Sequence, residues 1–81
     1  MRPYFTPRFL RAYAEAPANI RKAFDQKLTF LLQNLRHPSL RAKKYDEAKN
    51  LWQARVTQDW RFYFTIEGDS YRLLEIKSHP K

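Results

Sequence analysis

The stretch that decides the fold is LWQARVTQDWRFYFTI, residues 51–66. Its apolar and polar residues alternate with period two, and successive residues of a β-strand point to opposite faces of a sheet. Gln58 and Asp59 interrupt the alternation and have the chemistry of a tight turn. The segment therefore predicts a hairpin in which Arg55, Arg61 and Tyr63 share one face. The opposite, core-facing side is expected to consist of Trp52, Ala54, Val56, Phe62, Phe64 and Ile66.

Two amphipathic helices are predicted upstream of this hairpin. Thr6 followed by a proline is a typical helix start, and the first helix is expected over Pro7–Glu15. The second is expected over Asn19–Leu35, where apolar side chains recur at helical spacing. It should stop before Pro38, since proline disfavours a helical conformation in the preceding residue. The short connection between the helices predicts a helical hairpin.

The rest of the chain is predicted to complete a sheet. In the last strand, Leu74 and Ile76 are assigned to the core face, and Leu73 to the opposite face. The pattern β-α-α-β-β-β predicts an α+β fold in which a helical hairpin packs on one face of a small antiparallel sheet, and the other face stays open. The strands are expected at Arg2–Phe5, Leu51–Thr57, Arg61–Ile66 and Tyr71–Lys77, with a further short strand near Arg41–Tyr45.

Composition points to a polyanionic partner. The chain has 81 residues, the size of one small domain, and carries a net charge of +8. A pI of about 10.1 is typical of nucleic-acid binding, and an acidic protein is the alternative partner. The absence of cysteine excludes disulfides and thiolate chemistry. With two histidines and no cysteine, we expect no metal, and we also expect no cofactor. No apolar run approaches about 18 residues, so we expect no membrane association and a cytoplasmic location.

Three segments of the chain together resemble the RelE/ParE toxin superfamily. They are LWQARV at 51–56, DWRFYF at 59–64 and LLEI at 73–76, and they follow an amphipathic helical hairpin. The resemblance covers nearly the whole chain and rests on the order, spacing and length of these elements. It implies a RelE-like fold and the toxin of a type II toxin–antitoxin pair. RelE members cut mRNA in the ribosomal decoding site, whereas ParE members poison DNA gyrase.

The resemblance also implies roles for individual residues on the open face. Arg61 matches an arginine that clamps phosphate, and Arg61→Ala is expected to abolish cleavage without disturbing the fold. Arg55 falls where RelE carries lysine; since arginine is a poor base, we expect it to stabilise the transition state. His79 and Lys81 fall near basic tail residues of the family, and the tail is the expected proton donor. The residues expected to bind RNA are Lys43, Lys44, Arg55, Arg61, Tyr63 and Lys77.

One departure from the family pattern keeps the function open. The tyrosine that follows the tail in the family, and that stacks on a base, is absent here. Either Tyr63 or Tyr71 substitutes for it, or cleavage is poor. The leading expectation is a ribosome-dependent mRNA endoribonuclease whose partners are the ribosome, mRNA and an acidic antitoxin that folds on binding. The alternatives are a ParE-like gyrase poison and a catalytically degenerate module that binds RNA or antitoxin.

Overall fold

Five strands, two α-helices and one short 3₁₀ helix form residues 1–79, the part of the chain that the computed structural model describes. The helices lie on one face of the sheet, as the apolar pattern predicts. The elements in chain order are β1 (Arg2–Phe5), α1 (Pro7–Glu15), α2 (Ala18–Gln33), the 3₁₀ helix (Pro38–Leu40), β2 (Lys43–Asp46), β3 (Leu51–Thr57), β4 (Trp60–Glu67) and β5 (Ser70–Ser78).

The strands form a single sheet in the order β1-β5-β4-β3-β2. Neighbours pair antiparallel except β1, which runs parallel to β5. The predicted meander and its two-layer α+β architecture are confirmed, and the short strand expected near Arg41–Tyr45 is β2. Because the chain crosses from β1 to β2 through the helical hairpin, the first and the second strand lie at opposite edges of the sheet.

The hydroxyl of Thr6 ties the start of α1 to the sheet. Its Oγ1 accepts a hydrogen bond from the Phe9 amide at 3.1 Å and donates one to the Leu73 carbonyl at 2.8 Å. The predicted bounds of α1 are confirmed, whereas α2 ends before the predicted Leu35. The Asn34 side chain explains this early end, because its Oδ1 accepts a bond from the Arg36 amide and so competes with helical pairing. No helix in residues 1–79 is long and apolar enough to span a membrane.

Aromatic rings link the two layers of the fold. The ring of Phe24 on α2 meets that of Phe62 on β4 edge-on, at a centroid distance of 5.1 Å. Both rings are almost wholly buried, and Phe64 beside them is equally inaccessible. Such pairs contribute about 0.5–1.5 kcal/mol beyond the burial of their area. The contact holds the face of β4 that carries Phe62 and Phe64 against the helices, which turns Arg61 and Tyr63 to the other side.

The predicted orientations of Leu73 and Leu74 in β5 are wrong. Phe64 pairs with Leu73 and Tyr63 pairs with Glu75, so Leu74 is an extra residue in a β-bulge. Leu73 is completely buried and faces the helices, whereas Leu74 lies beside Tyr63 and Glu75 on the open face. A bulge shifts the alternation by one residue, and two adjacent leucines give no sign of it in the sequence. The assignment of Ile76 to the core is confirmed.

Leu73→Ala and Leu74→Ala provide a matched test of the bulge. We expect Leu73→Ala to lower the free energy of unfolding by about 2–5 kcal/mol, because it empties a fully buried site. Leu74→Ala should cost less than about 1 kcal/mol. Urea titrations of both purified variants, followed by far-ultraviolet circular dichroism, measure the difference. A larger loss for Leu74→Ala would mean that the register of β5 is the one predicted from simple alternation.

Candidate nucleic-acid interface

The face of the sheet that points away from the helices, here called the open face, contains a cationic depression. It has a volume of about 320 Å³, and most of the side chains around it are basic. No carboxylate lines it within the part of the chain that the structure describes. We call it the basic depression, and its lining residues are Arg41, Lys43, Gln53, Ala54, Arg55, Arg61 and His79.

Cations stand directly opposite one another across three strands of this face. Arg55 on β3 pairs with Arg61 on β4, and Arg61 pairs with Lys77 on β5. Like charges in directly opposed positions destabilise a sheet. A bound polyanion would offset this repulsion, so the arrangement is suited to phosphate.

Arg55 has the least favourable environment of these cations. Burial, together with the nearby charges of Arg41 and Arg61, lowers the pKa of its guanidinium. Its Nε is buried and has no hydrogen-bond partner among residues 1–79. A buried donor without a partner costs free energy that an anionic acceptor would recover. Arg55 is therefore a candidate contact for an anion, and its role stays a prediction.

Two further basic residues belong to this environment, and sequence reasoning missed both. Arg41 follows the 3₁₀ helix in a left-handed conformation, with φ 47°, and lines the basic depression. The sequence could have indicated Arg41, because it lies two residues before Lys43 and alternate residues of the predicted short strand share a face. Lys27 on α2 donates to the Ser39 carbonyl at 3.2 Å, and its pKa is lowered by burial and by the charge of Arg55. A residue on the helical layer offers no sequence signal for this proximity.

Arg61 lines the basic depression, and its side chain also stabilises the β3–β4 turn by hydrogen bonds. Its Nη1 donates to the carbonyls of Thr57 at 2.7 Å, Gln58 at 3.0 Å and Trp60 at 3.0 Å. The expectation that Arg61→Ala leaves the fold undisturbed is therefore incomplete, because the substitution removes these bonds. The Glu75 carboxylate on the neighbouring strand β5 pairs with Arg8 at 2.5 Å.

The end of the described chain reaches the same depression. The backbone amide of His79 donates to the Asp59 carbonyl at 2.7 Å, which holds the residue beside the β3–β4 turn. Its side chain is exposed and lines the basic depression. The other predicted tail residue, Lys81, lies outside the described residues.

The tyrosines proposed as substitutes for a stacking ring are both buried. Tyr63 is 6% exposed, accepts a hydrogen bond from Gln53 at 3.0 Å, and has the Lys77 ammonium 5.3 Å from its ring centroid. Tyr71 is 5% exposed and packs edge-on against Phe64 in the core. Neither ring is open to a base in this conformation.

Lys44 lies apart from the other residues predicted to bind RNA. It pairs across the strands with Trp52, and its ammonium stands 5.5 Å from the centroid of that ring. The same ammonium is 3.5 Å from the Glu47 carboxylate. The structure thus brings Lys43, Arg55, Arg61 and Lys77 to the open face and places Lys44 on the opposite side.

The basic depression can bind phosphate groups, and it holds few groups that could move a proton. Among the described residues that line it, His79 is the only imidazole, and the others are arginine, lysine, glutamine and alanine. Residues 1–79 contain no group of three or more His, Cys, Asp or Glu side chains that could hold a metal ion. The geometry therefore supports electrostatic binding of a polyanion more directly than it supports acid–base chemistry.

A family model described as the ParE toxin of the type II toxin–antitoxin system parDE matches residues 4–80. The match covers both helices, β2 to β5, and the second half of β1. No curated protein sequence matches the chain.

Several solved structures share the fold at low sequence identity. The YoeB/ParE toxin from Agrobacterium tumefaciens superposes with a TM-score of 0.79 at 12% identity, over 99% of this chain and 100% of that one. The heterotetrameric YoeB–YefM toxin–antitoxin complex from Staphylococcus aureus superposes with a TM-score of 0.78 at 14% identity, over 99% of this chain and 98% of that one. The RelB–RelE antitoxin–toxin complex from Methanococcus jannaschii superposes with a TM-score of 0.75 at 19% identity, over 93% of this chain and 88% of that one. These likenesses establish a RelE-like fold.

Arg55→Gln tests the anion site, and Arg11→Gln, an exposed position on α1, is the control of equal charge. We expect Arg55→Gln to weaken binding of a labelled 20-nucleotide oligonucleotide by about 1–3 kcal/mol, the scale of a charge-assisted contact. It should also reduce the slope of log affinity against log salt by about one, because one phosphate contact is lost. Fluorescence anisotropy at several salt concentrations measures both. Equal losses in the two variants would point to net charge rather than to a site.

Proposed function

This chain belongs to the ParE toxin family of type II toxin–antitoxin systems, within the RelE/ParE superfamily, and we propose that it is a ParE-like poison of DNA gyrase. The single observation that carries the proposal is the family match over residues 4–80. The resemblance to ParE members implies gyrase as the target, and this supports the alternative over the leading expectation of RNA cleavage.

The chemistry of the basic depression favours a binding mode of action. RNA cleavage needs a base for the 2′-hydroxyl, an acid for the leaving oxygen and positive charge for the transition state. The depression offers positive charge in abundance, but arginine is a poor base. The Nη1 of Arg61 is already bonded to three carbonyls. A toxin that binds and blocks its target needs none of the proton-transfer groups.

A second candidate function is ribosome-dependent mRNA cleavage. The observation that favours it is His79, an exposed imidazole at the edge of a depression that also contains Arg55. Histidine is the side chain best suited to exchange a proton near neutral pH. In this mode Arg55 would stabilise the negative charge that develops on the phosphate.

Both candidate functions require a neutralising partner. The chain carries a net charge of +8, and its helical hairpin has an apolar groove of about 220 Å³ next to β1. Leu10, 52% exposed, lies in this groove. The YefM and RelB antitoxins were crystallised with toxins of this fold. We propose that an acidic antitoxin, ordered on binding, covers this groove with an amphipathic segment.

The target can be assigned by two parallel assays on the purified chain. We expect addition of the protein to inhibit supercoiling by DNA gyrase, and we expect no new mRNA ends on translating ribosomes in primer extension. Ribosome-dependent cuts with unaffected gyrase would instead support cleavage. In that case His79→Gln should slow cleavage by about 10²–10⁴-fold, the usual contribution of general acid–base catalysis, and Arg11→Gln should not. Activity in neither assay would indicate a binding module.

Co-expression with the product of a neighbouring reading frame tests the antitoxin interface. We expect a soluble complex that elutes as one species. Leu10→Asp should disrupt it, since it places a charge in the apolar groove. The control is Leu32→Asp on α2, a leucine that is 36% exposed and does not line the groove. Two separately eluting wild-type proteins would contradict the toxin–antitoxin assignment of that frame.

A further inference from the structure

One carboxylate lies in the wall of the apolar groove that β1, α1 and α2 form. Asp25 on α2 is exposed there, and it is the only charged residue among the described residues that line the groove. The chain as a whole has 16 basic and 8 acidic residues. The groove therefore carries a charge of the opposite sign to that of the whole protein, at the place where we propose that a partner binds.

The carboxylate of Asp25 is not neutralised by a neighbour in the described part of the chain. Arg21 lies four residues earlier on α2, a spacing at which opposite charges can pair along a helix. Its Nη1 instead donates to the Ala16 carbonyl at the end of α1. None of the ion pairs within residues 1–79 includes Asp25.

Tyr13 on α1 fixes the position of this carboxylate. Its hydroxyl donates a hydrogen bond to Oδ1 of Asp25 at 2.9 Å, which links the two helices beside the groove. Burial raises the pKa of the Tyr13 hydroxyl, and the bond to Asp25 raises it further, so this group remains a donor at neutral pH. A carboxylate accepts several hydrogen bonds, so Asp25 can still receive a donor from another molecule.

A segment that covers the groove would take Asp25 out of water. The same segment must bring apolar side chains, because the groove is lined mainly by apolar and aromatic residues and Leu10 in it is 52% exposed. A carboxylate that is covered without a compensating charge destabilises the complex, and a second carboxylate beside it adds repulsion. A lysine or arginine in the covering segment would remove both costs.

We infer that Asp25 is a specificity-determining residue, which selects a lysine or arginine next to the apolar side chains of the segment that covers the groove. The occupant is the amphipathic segment of the antitoxin, so the inference rests on the proposed antitoxin contact and adds which side chain that segment carries. The acidic charge of the antitoxin as a whole favours encounter with a chain of charge +8. The reversed charge in the groove then distinguishes a segment that fits from equally acidic segments that do not.

A library of displayed amphipathic helices tests this selection without any antitoxin. Each helix has a fixed stripe of leucines, and the positions three and four residues from them encode Lys, Glu or Gln. On the immobilised wild type we expect Lys to be enriched at one of these positions, although the net charge of +8 alone would favour Glu at all of them. Asp25→Lys should change that preference to Glu. Glu15→Lys changes the net charge equally at an exposed position outside the groove, and it should retain the preference for Lys.

A synthetic peptide of the selected sequence measures the size of the contact. Replacing its selected Lys by Gln should weaken binding to the wild type by about 10- to 100-fold, the usual effect of losing a hydrogen bond to a charged group. The same replacement should have little effect on binding to Asp25→Asn, because the partner of the lysine is already gone. Fluorescence anisotropy of the labelled peptides measures all four affinities.

Four results would overturn the inference. They are no preference for Lys at any position on the wild type, the same preference on the wild type and on Asp25→Lys, equal losses in the two peptide titrations, and no selected helix whose binding is lost in Leu10→Asp. The first needs only the wild-type protein, so it remains decisive if a variant folds poorly. Failure of the toxin–antitoxin assignment would look different, because co-expressed proteins would elute separately while the preference for Lys in the selection persisted.

Discussion

The burial of Phe62 and Phe64 against α2 is the constraint on which the open face depends. Residues of a strand alternate between faces, so turning these rings toward the helices turns Arg61 and Tyr63 away from them. The edge-on contact between Phe24 and Phe62 at 5.1 Å holds that choice. A shift of one residue would turn the Arg61 guanidinium into the core and the rings of Phe62 and Phe64 out of it, and both changes are unfavourable. The core thus determines where the charges lie.

The resulting charge arrangement is unfavourable in isolation and favourable in a complex. Arg55 faces Arg61 across the strands, Arg61 faces Lys77, and the buried Nε of Arg55 has no partner in the described part of the chain. Folding alone gains nothing from such a row, whereas a bound phosphate chain would be attracted by every member of it. Native sites that keep unfavourable groups in place are commonly binding sites. This cost within the fold is the physical reason for regarding the open face as the interface of the toxin.

Several residues of the open face both line the candidate binding site and stabilise the fold. Arg61 lines the basic depression and bonds three carbonyls of the β3–β4 turn, and that turn holds His79 through the Asp59 carbonyl. Tyr63 is buried among Gln53, Tyr45 and Lys77 and packs against the exposed ring of Tyr45. Loss of function on substitution of such residues therefore needs a stability measurement before it is assigned to chemistry.

The sequence by itself determined the α+β class, the helix α1, the strands β1 and β3, the core face of the hairpin and the basic character of its other face. These features follow from local periodicity and capping, which are written in neighbouring residues. Tertiary structure alone decided the bulge at Leu74, the parallel pairing of β1 with β5 and the proximity of Lys27 to Arg55. It also decided that Tyr63 is buried whereas Tyr45 is exposed. Each of these depends on which distant segments become neighbours, and periodicity along the chain carries no record of that.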